Sequence, residues 1–166
     1  MAKAQSIIQK FGLTQHPEGG HYRETYRSDL VLDRRCLPAR YSGDRVAATA
    51  ILFLLCEGEK SNLHRLRSDE VWHFYLGGPL DLFWVSPAGE AKTITLGQEI
   101  EAGQTVQALV PAGAWMGACP QPGAGFCLVG CTVAPGFDFA DFEMGNRAEL
   151  LAGFPHLKEL IGRLTA

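Results

Sequence analysis

The chain has 166 residues, which is a usual length for a single domain. Hydrophobic residues make up 46% and charged residues 20%, close to the averages for globular proteins, so fibrous repeats and extensive disorder are excluded. The formal net charge is -3 and no basic block is present, which argues against a nucleic-acid-binding protein. We therefore expect one domain over residues 1–166 and no nucleic-acid partner.

Membrane and export signals are missing from the sequence. The longest apolar run, residues 46–56, has the length of a buried strand and falls short of the roughly 18 residues that a membrane span needs. The N-terminal residues lack the continuous apolar core of a signal peptide. The five cysteines are odd in number and lack zinc-site spacing, as expected for reduced, buried thiols. The sequence predicts a cytoplasmic protein with no membrane partner.

The predicted elements begin with a short helix over residues 3–11, whose apolar residues recur at helical spacing. Residues 16–20, HPEGG, predict a turn with His16 at the surface, and residues 21–28 alternate like a half-exposed strand. From residue 46 onward, short runs rich in Val, Thr and aromatic residues alternate with Gly and Pro turns, which is typical of an all-β sandwich or barrel. Short helices are predicted within residues 147–164.

The clearest pattern lies in residues 58–77, GEKSNLHRLRSDEVWHFYLG. Five residues separate Gly58 from His64, and Glu70 follows six positions after His64. This spacing resembles the first motif of the cupin superfamily. Residues 103–119, GQTVQALVPAGAWMGAC, resemble the second cupin motif, with Met116 where that motif has a histidine.

Four further segments, HPEGGHYRETYRS, SDEVWHFY, VPAGAW and VGCTVAPGFDFADFE, together resemble one cupin subfamily of unknown function. That subfamily is grouped with the dTDP-sugar 3,5-epimerase-like (RmlC-like) cupins. The resemblance implies an all-β fold, a double-stranded β-helix or cupin jelly-roll barrel. It also implies a short N-terminal helix, C-terminal helical turns and assembly as a homodimer.

Metal-binding cupins hold their ion with three histidines and one glutamate, and this chain keeps only part of that set. His64 and Glu70 stand at motif positions, whereas Leu66 and Met116 replace two histidines. Leucine cannot bind a metal, and a thioether prefers soft ions. We therefore expect no metal and no other cofactor, with a transition metal held by His64 and Glu70 as the alternative.

Without a metal, the candidate chemistry is acid–base catalysis. His64 is the predicted base, because an imidazole titrates near neutral pH, and Glu70 would orient it. Asp138 is a further catalytic candidate, because the similar sugar epimerases use a His–Asp pair. Tyr26 is the predicted general acid. In a regular strand Tyr26 shares a face with Tyr22 and Glu24, and the sequence leaves open whether that face lines the barrel.

Aromatic and basic residues supply the predicted ligand contacts. Alternation along the strand places Trp72 and Phe74 on the same face as Glu70. With Trp115, they would stack on a sugar or base ring. Arg23, Arg27 and Arg65 would bind a phosphate or carboxylate, with a plain surface role as the alternative.

Three functions are compatible with these residues. The first is a metal-independent epimerase or isomerase that acts on a sugar, nucleotide-linked sugars included, with His64 as base. The second is a metal-dependent cupin enzyme with a reduced ligand set. The third is a non-catalytic cupin that binds a small ligand. Fold alone does not choose among them.

Overall fold

The computed structural model describes residues 2–165, which form two antiparallel β-sheets with helices near both ends of the chain. The helices are α1 (Ala2–Phe11), α2 (Arg147–Gly153) and α3 (Lys158–Leu164). The strands are β1 (Thr14–Gln15), β2 (His21–Arg27), β3 (Val31–Leu32), β4 (Arg45–Val46), β5 (Thr49–Cys56), β6 (Ser61–Leu66), β7 (Asp69–Gly77), β8 (Leu80–Val85), β9 (Ala91–Leu96), β10 (Gln107–Val110), β11 (Trp115–Pro120), β12 (Phe126–Ala134) and β13 (Phe142–Met144).

The two sheets face each other as a jelly-roll barrel. One sheet has six strands in the order β1-β2-β5-β12-β7-β10, and the other has five in the order β13-β6-β11-β8-β9. The short strands β3 and β4 pair separately. Strands distant in sequence, such as β5 and β12, are neighbours, as in a jelly roll. The predicted all-β fold with short terminal helices is confirmed.

Hydrophobic side chains fill the barrel between the two sheets. Because side chains alternate along a strand, each strand contributes one face to this core. Phe53, Trp72, Leu82, Met116 and Val129 are buried there.

Two smaller apolar clusters fix the helices to the outside of the barrel. Helix α1 packs against Leu54 and Leu128 on the outer face of the six-stranded sheet. Helices α2 and α3 cover Leu63 and Trp115 on the outer face of the five-stranded sheet. The helices therefore cover part of the outer surface of the two sheets and leave one end of the barrel open.

Strand β2 contains a bulge that changes which side chains face the barrel. Its pairing with β5 shifts by one residue between Glu24 and Tyr26, so Thr25 has no Cα partner. A bulge reverses the alternation of the residues that follow it. Glu24 and Arg27 therefore both line the barrel, whereas Tyr26 lies outside with 54% of its surface exposed. The expected shared face of Glu24 and Tyr26 was wrong for this reason.

Between residues 2 and 165, none of the helices combines the length and the apolar composition that crossing a membrane would require.

Candidate functional site

A cavity of about 390 Å³ opens at one end of the barrel. Its walls come from the turn before β2, from strands β2, β5, β6, β7 and β12, and from the segment that leads into β13. The lining residues are His16, Glu18, Tyr22, Glu24, Arg27, Thr49, Ile51, His64, Leu66, Glu70, Cys131, Val133, Phe137, Asp138, Phe139 and Phe142.

One wall of the cavity is the inner face of the six-stranded sheet. The pairing registers align its side chains in two rows across the sheet, which are Arg27–Thr49–Val133–Glu70 and Glu24–Ile51–Cys131. The opposite wall is formed by His64 and Leu66 of β6 together with Phe142 of β13. Glu70 on β7 and His64 on β6 thus face the same cavity from opposite walls.

Glu18 enters the cavity because of the tight turn before β2. Gly19 has a φ of +111°, and a Cβ atom at this position would lie 2.2 Å from the backbone oxygen of Lys60. Only glycine permits this approach. The turn is anchored to β6, where the amide of Asn62 donates a hydrogen bond to the Glu18 carbonyl at 2.8 Å. The Glu18 side chain is thereby directed inward, and the residue is only 6% exposed.

Glu18 and His64 form a buried pair. The Oε2 atom of Glu18 lies 3.2 Å from Nε2 of His64 and 3.4 Å from Nδ1 of His16. The hydroxyl of Ser61 donates a hydrogen bond to Glu18 Oε1 at 3.0 Å. On the other side of the imidazole, His64 Nδ1 lies 2.8 Å from the carbonyl oxygen of Asn62. A carbonyl only accepts, so Nδ1 carries a hydrogen and Nε2 faces the Glu18 carboxyl.

Burial favours the uncharged form of each member of this cluster. It raises the pKa of Glu18 to about 8, although the hydrogen bond from Ser61 acts in the opposite direction. Burial lowers the pKa of His64, against the effects of Glu70 and of the Asn62 carbonyl. Burial and the nearby His64 lower the pKa of His16 to about 4. At neutral pH, burial therefore favours a protonated Glu18 carboxyl 3.2 Å from a neutral His64 imidazole.

Glu70 is the second buried acid of the cavity. It is 6% exposed, and its Oε2 atom has no hydrogen-bond partner among residues 2–165. Burial raises the pKa of Glu70 to about 7. His64 lowers this pKa, Glu18 raises it further, and the neighbouring Trp72 and Cys131 side chains lower it through their polar hydrogens. Beside it lies Cys131, whose thiol pKa burial raises well above the ordinary value, so this cysteine is a neutral thiol. Glu70 is thus a carboxyl that exchanges a proton near neutral pH.

The mouth of the cavity is aromatic. Phe137, Phe139 and Phe142 contact one another edge to face, with ring centroids 5.0 to 6.1 Å apart. The segment that carries them is tied to the body of the protein by a buried ion pair, in which Arg45 donates to both carboxylate oxygens of Asp141 at 2.6 Å. Such a ring cluster suits a flat or cyclic ligand.

Four of the residues predicted for the site line the cavity, namely Arg27, His64, Glu70 and Asp138. Asp138 lies at the mouth, where its Oδ1 atom accepts a hydrogen bond from the amide of Ala140. The structure does not place the other predicted residues in the lining, and these are Tyr26, Arg23, Arg65, Trp72, Phe74 and Trp115.

Each of the side chains outside the lining has another set of contacts. Arg23 donates a hydrogen bond to the backbone oxygen of Phe11. Arg65 pairs with Glu143 through two hydrogen bonds and lies 4.5 Å above the ring of Trp115.

Trp72 and Phe74 share the inner face with Glu70, as alternation predicted, but they lie in the hydrophobic core. Alternation determines the face of a strand and leaves the depth within the barrel undetermined.

Sequence reasoning missed Glu18 and His16, and it expected His16 at the surface. His16 does lie in the predicted turn, but its side chain is 7% exposed and lines the cavity instead of lying at the surface. The one signal in the sequence is the Gly19-Gly20 pair, because adjacent glycines permit a backbone to approach another strand closely. The position of Phe137, Phe139 and Phe142 at the cavity mouth was not predicted from the sequence either.

The residues present do not fit the metal site that many cupins carry. Both nitrogens of His64 are engaged by protein groups, and Leu66 stands where a second histidine would be. Residues 2–165 contain no group of three or more His, Cys, Asp or Glu side chains placed to hold a metal ion. A divalent ion is normally held by at least three protein ligands or by carboxylates with substrate oxygens.

Comparison with known families decides the classification. A family model described as "Cupin superfamily (DUF985)" matches residues 5–145, most of the chain. The chain belongs to the cupin superfamily. This cupin is also 28% identical over 166 residues to "Uncharacterized protein YML079W" of Saccharomyces cerevisiae, with 95% of this chain and 80% of that protein covered.

Solved structures share the fold of this cupin. Protein SO0799 from Shewanella oneidensis is 41% identical to this cupin, with a TM-score of 0.88 and 98% and 97% of the two chains covered. A hypothetical protein from Leishmania major is 34% identical, with a TM-score of 0.87 and 98% of each chain covered. Oxalate decarboxylase from Bacillus subtilis is 16% identical, with a TM-score of 0.54, over 90% of this chain and 36% of that one. This last likeness concerns the fold alone.

Proposed function

We propose that this cupin is a metal-independent isomerase or epimerase that transfers a proton on a small cyclic molecule of the sugar class. The observation that carries the proposal is the Glu70 carboxyl. It is buried in the cavity with one oxygen unpartnered and a pKa of about 7. A group that titrates near the working pH serves both as proton acceptor and as proton donor.

Glu70 is a better candidate for the base than His64, which the sequence favoured. Both ring nitrogens of His64 are occupied, by the Asn62 carbonyl and by Glu18. The imidazole therefore has no free lone pair toward the cavity. The Glu18–His64 pair is uncharged at neutral pH, so we assign the role of proton acceptor to Glu70.

The reaction itself needs one proton to be removed and one to be returned. The ionised Glu70 would take a proton from a carbon next to a carbonyl, leaving an enolate. Returning the proton to the former carbonyl carbon, while the proton of the adjacent hydroxyl passes to the former carbonyl oxygen, gives isomerisation. Returning it to the opposite face of the original carbon gives epimerisation. Tyr22, which lines the same cavity, is the phenol placed to supply a proton in this scheme. The resemblance of the sequence to RmlC-like epimerases supports the same class of reaction.

The test is deuterium exchange into a panel of aldoses and ketoses, measured by NMR in heavy water. We expect carbon-bound deuterium to accumulate with wild-type protein. Glu70→Gln should slow exchange by about 100-fold or more, the usual contribution of a general base. The matched control is Glu101→Gln. Glu101 is exposed and is not a cavity residue, so this variant should catalyse exchange like wild type. Exchange into no sugar of the panel, or full activity in Glu70→Gln, would refute the proposal.

A metal-dependent reaction is the second candidate, and its expected result differs. We predict that elemental analysis of freshly purified, tag-free protein finds far less than one equivalent of any transition metal. One equivalent that disappears in both His64→Ala and Glu70→Gln would instead assign these two residues as ligands. A plain binding function would show ligand affinity without exchange in any variant.

We also propose that this cupin forms a homodimer through the outer face of the six-stranded sheet. Pairing registers align a row of side chains across this face, which are Tyr26, Ala50, Thr132, Val71 and Leu109. Tyr26 is 54% exposed and Leu109 is 51% exposed. Helix α1 packs on a different part of the same face, around Leu54 and Leu128. A second copy placed over the row would bury these apolar side chains.

A further inference from the structure

The charges that line the cavity are mostly negative or potentially negative. Four carboxyl groups face it, from Glu18, Glu24, Glu70 and Asp138, and the lining has Arg27 as its one guanidinium and no lysine. Proteins usually recognise phosphates and carboxylates with arginine, lysine or clustered backbone amides. The availability of Arg27 therefore decides whether an anionic ligand has a partner here.

Arg27 is already neutralised by a neighbouring carboxylate. Its Nε atom donates to Oε1 of Glu24 at 3.0 Å, and its Nη2 atom donates to Oε2 of Glu24 at 2.7 Å. The same Nη2 atom lies 3.4 Å from the backbone oxygen of Phe137. This bidentate pair occupies the Nε–Nη2 edge of the guanidinium, so a ligand carboxylate or phosphate would have to compete with Glu24 for the charge of Arg27.

The remaining polar atoms of the cavity call for hydrogen-bond donors on the ligand. The unpartnered Oε2 atom of Glu70 is buried at the inner end, and buried polar atoms are normally hydrogen-bonded. At the mouth, the Asp138 carboxylate is exposed to the solvent next to the rings of Phe137 and Phe139. A ligand that reaches both ends would place a ring at the mouth and a hydroxyl or amino group against Glu70.

From this arrangement we infer that the ligand is an uncharged or cationic ring compound bearing hydroxyl or amino groups, without a phosphate or carboxylate. This excludes sugar phosphates and nucleotide-linked sugars, which the sequence had included. The inference uses the same cavity as the proposed isomerase and rests on that proposal only for the sugar class of the substrate. It concerns binding, and it is testable without any catalytic assay.

The experiment compares four compounds that share one ring and differ in charge. Benzylammonium, benzyl alcohol, benzoate and phenyl phosphate are each titrated into 15N-labelled protein, and dissociation constants are obtained from the shifts of cavity amides. We expect the cation and the alcohol to bind at least about tenfold more tightly than either anion, because the anions would face carboxylates without a free cation. Glu70→Gln should weaken the binding of benzylammonium more than the binding of the other three compounds.

A matched variant tests the role of the Arg27–Glu24 pair. Glu24→Gln removes the negative charge that pairs with Arg27, so benzoate and phenyl phosphate should bind more tightly. The ratio of their dissociation constants to those of benzylammonium and benzyl alcohol should fall several-fold. Glu101→Gln should leave the order unchanged. Anions that bind wild-type protein as tightly as benzyl alcohol would overturn the inference, and so would the absence of cavity shifts with all four compounds.

The two proposals fail in different ways. The expected order of affinities without exchange in any sugar would refute the isomerase and leave the charge preference standing. Exchange into glucose 6-phosphate or a nucleotide sugar, but into no free sugar, would support proton transfer and refute the charge preference.

Discussion

Glu18 shows how burial decides the protonation state of a residue that the sequence places in an ordinary turn. Its carboxyl lies beside the imidazoles of His16 and His64, an arrangement that in water would form an ion pair. Inside the barrel the cost of burying two charges exceeds their attraction, so the neutral acid and the neutral imidazole are favoured. The same cost keeps Glu70 partly protonated near neutral pH.

These shifts predict that the protein loses stability as the pH rises above neutrality. The pKa is raised to about 8 for Glu18 and to about 7 for Glu70, so the folded state keeps protons that the unfolded state releases. Raising the pH therefore favours unfolding. The pKa values of His16 and His64 are lowered, so these histidines change the free energy of unfolding only below about pH 6.5, where raising the pH stabilises the folded state. We expect the free energy of unfolding to fall by about 2 kcal/mol between pH 6.5 and 8.5.

Urea denaturation of Glu18→Gln checks this prediction. The glutamine amide can donate a hydrogen to His64 Nε2 as the protonated acid does, so stability at pH 6.5 should stay near that of wild type. The fall toward pH 8.5 should lose most of its amplitude, while Glu101→Gln should retain it. A variant that is already much less stable at pH 6.5, with a flat wild-type profile, would mean that Glu18 and His64 form a true ion pair.

At the scale of elements, two local irregularities build the cavity. The bulge at Thr25 directs Glu24 and Arg27 to the same side of β2, where they pair at the cavity wall. In a regular strand, residues three positions apart would point to opposite faces. The turn before β2 inserts Glu18 between the sheets. Both features depend on an exact backbone path, and side-chain periodicity alone does not reveal either of them.

The turn makes a steric prediction with an internal control. Gly19 and Gly58 both have positive φ values, +111° and +86°, but a Cβ atom at Gly58 would meet nothing within 4 Å. Gly58→Ala should therefore cost about 1 kcal/mol of stability, from backbone strain alone. Gly19→Ala must also displace the backbone of Lys60, so it should cost at least about 2 kcal/mol more.

Chemical denaturation of the two alanine variants measures this difference. Gly19→Ala should also disturb the Glu18–His64 contact, seen as a change in the His64 ring signals by NMR, whereas Gly58→Ala should leave them in place. Equal losses of stability in the two variants would show that the close approach of Gly19 to Lys60 contributes nothing.

At the scale of the whole molecule, the barrel uses its two sheets differently. The outer face of the five-stranded sheet is covered by α2 and α3, around Leu63 and Trp115. The outer face of the six-stranded sheet carries α1 at one part and the exposed row with Tyr26 and Leu109 at another. The open end of the barrel, with Glu70 inside it, lies between the two sheets.

The proposed homodimer is tested by the mass in solution, measured by light scattering after gel filtration. We expect twice the monomer mass for wild-type protein. Leu109→Asp places a charge in the row and should shift the protein to monomer, since burying an unpaired charge is costly. Leu30→Asp is the control, because Leu30 is 60% exposed in the loop after β2 and outside the row. A monomeric wild type, or a dimeric Leu109→Asp, would contradict the proposal.

Much of the architecture was predictable from local patterns. The short strands, the terminal helices and the barrel class follow from alternation, turn residues and the His64–Glu70 spacing, and the structure confirms them. The inward face of β7 was predictable as well, because alternation places Trp72 and Phe74 with Glu70. Their role as ligand contacts stays a prediction, and the structure places them in the core.

Periodicity and turn residues in the sequence by itself predicted the strands and the all-β class, and the resemblance to the cupin motifs implied the jelly roll and pointed to His64 and Glu70, which line the cavity. Tertiary structure alone decided that Glu18 and His16 join His64, that Arg27 pairs with Glu24, and that three phenylalanines form the mouth. These contacts join residues far apart in the chain, and they depend on a bulge and a turn. Protonation states were decided there too, because burial sets the pKa of a carboxyl and sequence does not record burial.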